Sequence, residues 1–480
     1  MSFGPPPSPF TQSVKVAEER VRRRKVLRGV CFLAFAVILG AGGWYVWPNS
    51  SQAPSAQEGK APAKAAPEAI RETVEDPPKG GVGHVESAVI ERGLEPGKYL
   101  VTPGMWATKK VLVKGRQSSL VAVNIADGSD AWTRDLGSDI CAITQDVTND
   151  GRTAVMVKDP EGDHLCNQLV MFRIGTGAKL WQVKVPVKRG FFSEPTRMTM
   201  TQGVVVTSWN EGSAGSDMST GKTLWQRGRT KQCHDGGFVG GQSLLLRYDC
   251  FDEKSQQDHY RVQKLDPGTG AVEWTYKVAS GVKFAYLLSS QPAVLAVAAG
   301  DYDVTNLISL DGRGKYRAGI RMEGDHYNVE CDPDSVDGCT GALVANDQVF
   351  VTSGDSSEEP GNNTNWIVTF DLATGKSGFK FDAGEDQQIS LLRVSGDRVL
   401  ALKNGTDTIA PNSLVSLDPK SGKQRTYFYF TIPSGMHGYG AGEVAVEHGR
   451  IFFGNQQWRG SGKKGMPEAK WLAYAVGRAA

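Results

Sequence analysis

From residue 82 to the C-terminus, short apolar runs recur, each followed by polar turn residues. Seven of these runs lead into a Gly-containing turn, and four residues beyond the Gly stands a Trp or a replacement for it. The pairs Gly128/Trp132, Gly177/Trp181, Gly221/Trp225 and Gly270/Trp274 keep the Trp. Three copies are worn: Gly314 with Ala318, Gly375 with Phe379, and Gly422 with Thr426 followed by Tyr427. The glycines lie 49, 44, 49, 44, 61 and 47 residues apart. A strand–turn–strand unit repeating at that interval predicts an all-β chain of β-propeller type, one four-stranded blade per repeat.

The chemistry of one copy explains why these residue types recur. In Leu265-Asp266-Pro267-Gly268-Thr269-Gly270 the Asp and Thr can bond the turn backbone, and Gly270 supplies a positive φ without steric cost. The chain then re-enters a strand, and Trp274 offers a flat apolar group whose burial removes about 150–250 Å² from water. A role in docking neighbouring blades is therefore assigned to Trp132, Trp181, Trp225 and Trp274, and to Phe379 where the Trp is lost.

With the strands of a blade written A to D from the axis outwards, strand B is legible eight times, from Val111–Val113 and Thr153–Val157 to Val399–Leu402 and Ile451–Phe453. The last strand C, Trp471–Val476, has no strand D after it. His84–Ile90 alternates in strand fashion without a partner of its own and is expected to supply that missing strand. The expectation is an eight-bladed propeller over residues 82–480, or seven blades if the worn fifth unit is an insertion.

The segments Val123-Asn124-Ile125-Ala126-Asp127-Gly128, Phe370-Asp371-Leu372-Ala373-Thr374-Gly375-Lys376 and Leu417-Asp418-Pro419-Lys420-Ser421-Gly422-Lys423 resemble the LDxxTGKxxW repeat. That repeat marks the pyrroloquinoline-quinone-like (PQQ-like) propeller family. Its members include quinoprotein alcohol dehydrogenases, the barrel-assembly lipoprotein of bacterial outer membranes, and extracellular domains of actinobacterial membrane proteins, which this chain resembles most. The resemblance implies the fold and says little about activity.

Charge along the chain adds a topology. Residues 1–29 carry Lys15, Arg20, Arg22, Arg23, Arg24, Lys25 and Arg28 against Glu18 and Glu19, a net of +5, so the remainder of this +2 chain sums to −3. A nucleic-acid partner is not expected of such a body. Residues 30–47 are eighteen uncharged residues, long enough at about 1.5 Å each to cross a hydrocarbon core of about 30 Å. Basic residues before this run and Trp44, Tyr45 and Trp47 at its end predict an uncleaved transmembrane helix with a cytoplasmic tail (1–29) and an extracytoplasmic body in the cell membrane. A cleaved signal peptide would want small residues where these aromatics stand. Residues 48–80, with six prolines, seven alanines and no aromatic residue, read as a disordered linker.

Six of the seven cysteines follow the apolar segment, and an even number in an exported domain suggests three disulfides. Fifteen pairings exist. The propeller register makes Cys141 equivalent to Cys233 and Cys166 equivalent to Cys250, which favours Cys141–Cys166 and Cys233–Cys250 and leaves Cys331–Cys339. Histidines beside thiols at Cys233-His234 and His164-Leu165-Cys166 raise metal binding as the alternative, but neither has a structural-zinc spacing.

Several B–C connections are long: Asp159–Gln168, Phe251–His259, Gly354–Asn365, Asn404–Asn412 and Asn455–Lys470. B–C and D–A connections emerge on one face of a propeller, and long loops on a rigid scaffold commonly carry recognition. Trp458, Arg459, Asp252, Glu253, Glu358 and Glu359 are the candidate binding rim for a protein or envelope polymer. Asp332, Asp334 and Asp337 are a weak candidate for calcium, since their spacing departs from D-x-D-x-D-G by one residue. Asp146-Val147-Thr148-Asn149-Asp150-Gly151 is a second weak candidate, with Ala154 where a carboxylate is needed. Quinoprotein dehydrogenases stack their cofactor on a disulfide of adjacent cysteines, and no adjacent pair occurs here. The seven histidines are scattered and no hydrolase or metalloprotease motif is present. A non-enzymatic, cofactor-free binding scaffold is therefore the leading expectation, with a PQQ-dependent dehydrogenase or an extracellular sensor as alternatives.

Overall fold

The computed structural model describes residues 66–161, 164–188, 196–254, 256–300, 303–322, 326–332, 336–354, 364–405, 411–432, 442–460 and 468–478. The tail at 1–29, the apolar segment at 30–47 and the linker up to residue 65 lie outside the described residues. Among the described residues no helix is long and apolar enough to cross a membrane.

The architecture is all-β. Six four-stranded antiparallel sheets span residues 105–135, 140–184, 197–228, 233–277, 284–321 and 342–382, and are referred to as the first to sixth sheets. An eight-stranded sheet, the seventh, has two halves: strands within 387–430, and strands within 443–478 completed by Val82–Leu94. Innermost strands of successive sheets adjoin from the second sheet onward, and Glu443–Glu447 of the seventh adjoins Met105–Ala107 of the first. Trp106 of the first sheet reaches Phe172 of the second edge-on, with ring centroids 5.6 Å apart. This is the arrangement of a β-propeller.

The expected partner for the unpaired early strand is observed. Val82–Leu94 lies antiparallel to Glu468–Arg478, from Gly83 opposite Arg478 to Leu94 opposite Glu468. At its start it also pairs in parallel with Tyr429 and Phe430, which joins the two halves of the seventh sheet. The N- and C-terminal parts of the body thus share one hydrogen-bonded ladder.

The apolar runs read as strand B are buried along their length, as in 153–157 of Arg152–Lys158 and in Val204–Trp209. They are continuous rather than alternating because both faces of a second strand are covered by the neighbouring sheets. Outer strands such as Val272–Lys277 alternate between half-buried and exposed residues.

The conserved spacing of Gly and Trp within the repeat has a direct physical basis. Each indole lies on the turn glycine of the following sheet. A Cβ on Gly177 would stand 2.4 Å from Trp132, on Gly221 2.8 Å from Trp181, on Gly270 2.8 Å from Trp225, and on Gly314 2.4 Å from Trp274. Phe379 covers Gly422 in the same way, at 2.4 Å. These glycines also have φ between +64° and +74°, so two independent constraints fall on one position. Trp181 and Trp225 donate their indole N–H to the carbonyls of Met218 (3.0 Å) and Pro267 (2.7 Å), each three residues ahead of the covered glycine. Where Ala318 replaces Trp, the equivalent carbonyl of Leu372 is taken by the hydroxyl of Ser309. There the chains close up: a Cβ on Gly375 would be 2.8 Å from the Gly319 carbonyl oxygen.

The turns themselves are tied by carboxylates. Asp217, Asp266 and Asp371 each accept from the backbone N–H and hydroxyl of a Thr three residues on, at 2.7–2.8 Å. Asp418 uses Ser421 likewise. These bonds, the side-chain hydroxyl first, hold all four carboxyls below their ordinary value of 3.8.

One boundary is corrected. Residues 66–80, expected as the end of a disordered linker, are packed on the propeller. The described residues from 66 onward belong to one compact body. Val74 is buried among the side chains of the seventh sheet, and Gly80 donates to the Tyr427 carbonyl at 2.5 Å. A Pro/Ala-rich composition conceals this because the contacts are made by backbone groups and by a few side chains in 70–76.

Two outcomes are expected. Trp225→Ala should destabilise by about 3–5 kcal/mol in denaturant melts, the usual loss for a buried aromatic, whereas restoring the repeat by Ala318→Trp should also destabilise, because the space is closed. A stabilising A318W would contradict the packing described. Lowered carboxyl values mean that the turn bonds contribute fully above the unfolded value near 3.8 and are lost as pH falls below it through the folded values. The melting temperature should therefore drop steeply below about pH 4, and D217N, D266N, D371N and D418N combined should flatten that drop while lowering the plateau above it.

Candidate functional site

The innermost strands surround an axis, and both of its mouths are entered by segments outside the four-stranded repeat. At the mouth formed by the A–B turns lie residues 66–76. Arg71 N–H donates to the Val147 carbonyl (2.8 Å), Asn149 N–H to the Ala69 carbonyl (2.9 Å), and Val74 N–H to the Val394 carbonyl (3.0 Å). The segment thereby spans from the second sheet to the seventh. Glu72 reaches the fourth sheet, accepting from Gln242 N–H at 2.7 Å and its side-chain amide at 2.6 Å. Burial raises the Glu72 carboxyl above its ordinary value, against the lowering effect of those two bonds.

From the opposite mouth comes the connection between the fifth and sixth sheets, closed by Cys331–Cys339. Val336, at the tip of this loop, is 2% exposed and offers its carbonyl to Leu287 N–H at 2.8 Å. It packs on Gly237, where a Cβ would be only 2.3 Å from the valine. Gly237 has φ +148° and sits in the inner strand of the fourth sheet. A missing side chain in the wall thus admits the tip of the loop.

Between the two segments lies an axial cavity of about 740 Å³, whose lining includes Arg71, Glu72, Gln145, Thr199, Asp337 and Arg393. Its charged groups are largely committed. Asp146 accepts from Thr144, Thr199 and Met200 N–H, at 2.8–3.1 Å. Arg393 is held by Glu447 and the Arg71 carbonyl. The mouth segments were not legible as site elements, since neither belongs to the repeat. The best available signal was the odd cysteine pair and the 61-residue interval between Gly314 and Gly375.

The other two disulfides join Cys141 to Cys166 and Cys233 to Cys250, each tying strands of one sheet. All three pairings are those expected from the repeat register.

The rim residues are dispersed. Asp252 ends a strand of the fourth sheet and Glu253 lies in the turn that follows, where the expected loop 251–259 is mostly a longer hairpin of Leu244–Asp252 and Gln257–Leu265. Asp252 caps Lys254 N–H at 2.9 Å and faces His259 at 3.8 Å. Trp458 and Arg459 belong to a two-stranded sheet, Gln457–Arg459 with Tyr99–Val101. Trp458 is corrected as a free anchor: it is half-buried, donates to the Trp471 carbonyl at 3.1 Å and lies under Lys470. Arg459 is exposed and stacks over Tyr99, itself 63% exposed, beside Val101 at 50%. Tyr99 and Val101 were missed because they sit in a short D–A connection rather than a long loop. Asp159, at the start of the expected long connection Asp159–Gln168, is buried and bound by Lys184 at 2.7 Å. Glu358 and Glu359 lie outside the described residues.

Of the calcium candidates, Asp334 lies outside the described residues, and Asp337 lines the cavity. Among the described residues no three of His, Cys, Asp and Glu stand where they could share a metal ion. In the second candidate, Asp150 binds Thr148 (2.6 Å) and Arg152 (2.9 Å), the bonding of a hairpin turn.

A family model described as outer membrane protein assembly factor BamB (PQQ_2) matches residues 88–236, roughly a third of the chain. The match runs from the joining strand into the fourth sheet and supports the PQQ-like propeller repeat. No curated protein matches the sequence. Among solved structures, BamB from Moraxella catarrhalis aligns at 12% identity and TM-score 0.42, over 80% of this chain and 100% of that one. A europium-containing methanol dehydrogenase aligns at 10% and 0.41, over 77% and 86%. The β-propeller domain of the Trilobed protease from Pyrococcus furiosus aligns at 12% and 0.38, over 69% and 96%.

Gly237→Ala should expel Val336 and cost about 1–3 kcal/mol, as overpacked sites do. Hydrogen exchange should then quicken at Leu287, whose N–H donates to the Val336 carbonyl, and at Asp332, whose N–H donates to the Gly338 carbonyl, while the disulfide remains intact. Unchanged exchange at Leu287 would show that the tip does not depend on the missing side chain.

Proposed function

We propose that this chain of PQQ-like repeats is a non-enzymatic binding scaffold with a protein or envelope polymer as its partner. In this reading the eight-stranded sheet is two blades zipped by Val82–Leu94, which makes an eight-bladed ring. Residues 30–47 anchor it in the cell membrane with the ring on the extracytoplasmic side. The face that carries the B–C and D–A connections meets the partner.

The observation that carries this reading is the occupancy of both axial mouths by the chain's own residues. Val336 is lodged in the wall at one mouth and residues 66–76 cross the other. A quinone cofactor fits poorly there. The three disulfides join residues 25, 17 and 8 positions apart, so none offers the adjacent-cysteine platform of the quinoprotein enzymes. Among the described residues of the loop-bearing face, Tyr99, Val101 and Arg459 form an exposed edge. An aromatic and a guanidinium held together on a short sheet are well suited to anchor a protein contact. The BamB description of the matched family is in keeping with a protein partner.

The test is crosslinking in intact cells followed by pull-down of the body. Tyr99→Ser with Arg459→Glu should reduce partner capture by about tenfold or more without lowering the melting temperature. Trp458→Ala should lower the melting temperature instead, since its ring is internal packing. Dye-linked turnover by the purified body with added quinone and calcium, insensitive to the Tyr99 and Arg459 changes, would favour an enzyme.

A further inference from the structure

Residues 66–76 are strand members of no sheet, yet they meet the second, fourth and seventh sheets in one extended crossing. The geometry points to this axial mouth being a peptide-binding site, filled in the intact chain by its own residues. It takes an extended peptide that presents a cation, then a carboxylate, and two positions later a β-branched apolar residue.

Three side-chain subsites define that chemistry. The first is Glu447, 5% exposed, a buried carboxylate that receives Arg393 and, at 2.8 Å, Arg71. Arg71 also meets Nε2 of His448 at 3.2 Å. A guanidinium can only donate, so Nε2 is the accepting nitrogen and Nδ1 donates to Glu75, 3.0 Å away. The subsite therefore takes a cation that ion-pairs with Glu447 and donates to His448.

The second subsite is built for a carboxylate. Gln242 gives Glu72 two donors, its backbone N–H and its side-chain amide. Gly241, at φ +95°, lies beneath: a Cβ there would be 2.6 Å from the Glu72 oxygen. The missing side chain makes the space that the carboxylate occupies. The third subsite takes Val74, 6% exposed, in the cluster that includes Leu400, Leu402 and Val446.

The backbone is held as an added strand is held, but only at single points. Ile70 bridges Thr148 antiparallel, and Thr73 bridges Val394 in parallel. Main-chain bonds supply affinity and alternate side chains supply selectivity, the logic by which extended peptides bind exposed strand edges. So few points would hold a free peptide weakly. Here the segment is joined to Val82 through the short run 77–81, and that tether raises its effective concentration at the mouth. A separate peptide gains access when the tethered copy is weakened. This site is independent of the rim proposed above, on the opposite face.

The test uses the full chain carrying Arg71→Ser, Glu72→Ser and Val74→Ser, and a dye-labelled synthetic peptide of residues 66–76 read by fluorescence anisotropy. The altered chain should bind one peptide saturably, about tenfold or more tighter than the unaltered chain does. Adding Gly241→Ala should weaken that binding by about tenfold. If the triple change abolishes the cooperative melt, the same comparison is made with Glu72→Ser alone. Binding no better than that of a scrambled peptide, or binding unaffected by Gly241→Ala, would overturn the site.

Discussion

The stacking of an aromatic ring on a turn glycine of the next sheet is the contact on which the rest of the molecule depends. A propeller has no single core; each sheet must bury its face on a neighbour, and the outer edge of that contact is where sheets diverge most. An indole fills the divergence only if the facing residue has no Cβ. At 2.4–2.8 Å, a Cβ on Gly177, Gly221, Gly270 or Gly314 would enter the ring itself. The turn also demands a positive φ at the same residue, so backbone and packing both require glycine there. This coupling explains why the repeat tolerates loss of its Trp more readily than loss of its Gly. Ala318 closes the gap by bringing backbones together and handing the Leu372 carbonyl to Ser309, while Gly375 remains.

Charged side chains also fasten the sheets to one another. Arg227 of the third sheet reaches Asp235 of the fourth at 2.9 Å, and Ser213 adds a bond to the same carboxylate. Arg247, paired to Asp249 at 2.7 Å, spans to the Ala285 carbonyl of the fifth. Lys114 and Glu443 join the first sheet to the seventh, with the lysine completely buried. Burial acts against the charged lysine, while Glu443 favours it. Buried pairs of this kind add little net stability over apolar packing, but removing one partner strands a charge.

Much of this was legible in the sequence, and the boundary of legibility is physical. The Gly–Trp offset, the apolar second strands and the cysteine register are local patterns repeated many times, so chance is averaged away. The joining of Val82–Leu94 to Glu468–Arg478 was readable because a strand without a local partner needs a remote one. What escaped was non-repetitive. Val74 is one apolar residue in a Pro/Ala-rich stretch, and its burial depends on a hollow formed by residues more than 300 positions away. Trp458 is expected on the binding rim because it lies in a long B–C connection; nothing local announces that the Trp471 carbonyl waits for its indole N–H. Long-loop counting also passed over Tyr99, whose exposure depends on pairing with a distant strand.

The two axial segments share a device that follows from the fold. A propeller axis is lined by backbone-rich inner strands, and a glycine in that lining leaves a socket one side chain deep. Gly237 receives Val336 at one mouth, and Gly241, four residues along the same chain, receives the Glu72 carboxylate at the other. A single inner strand with its turn, 233–242, therefore seats both segments. Because the sockets are shaped by absent side chains, each limits its occupant by size, and at Gly241 the two donors of Gln242 add a preference for a carboxylate. Extra chain could be accommodated there without disturbing the repeat. That is why the rim and the mouths can differ in chemistry while the sheets between them keep one pattern.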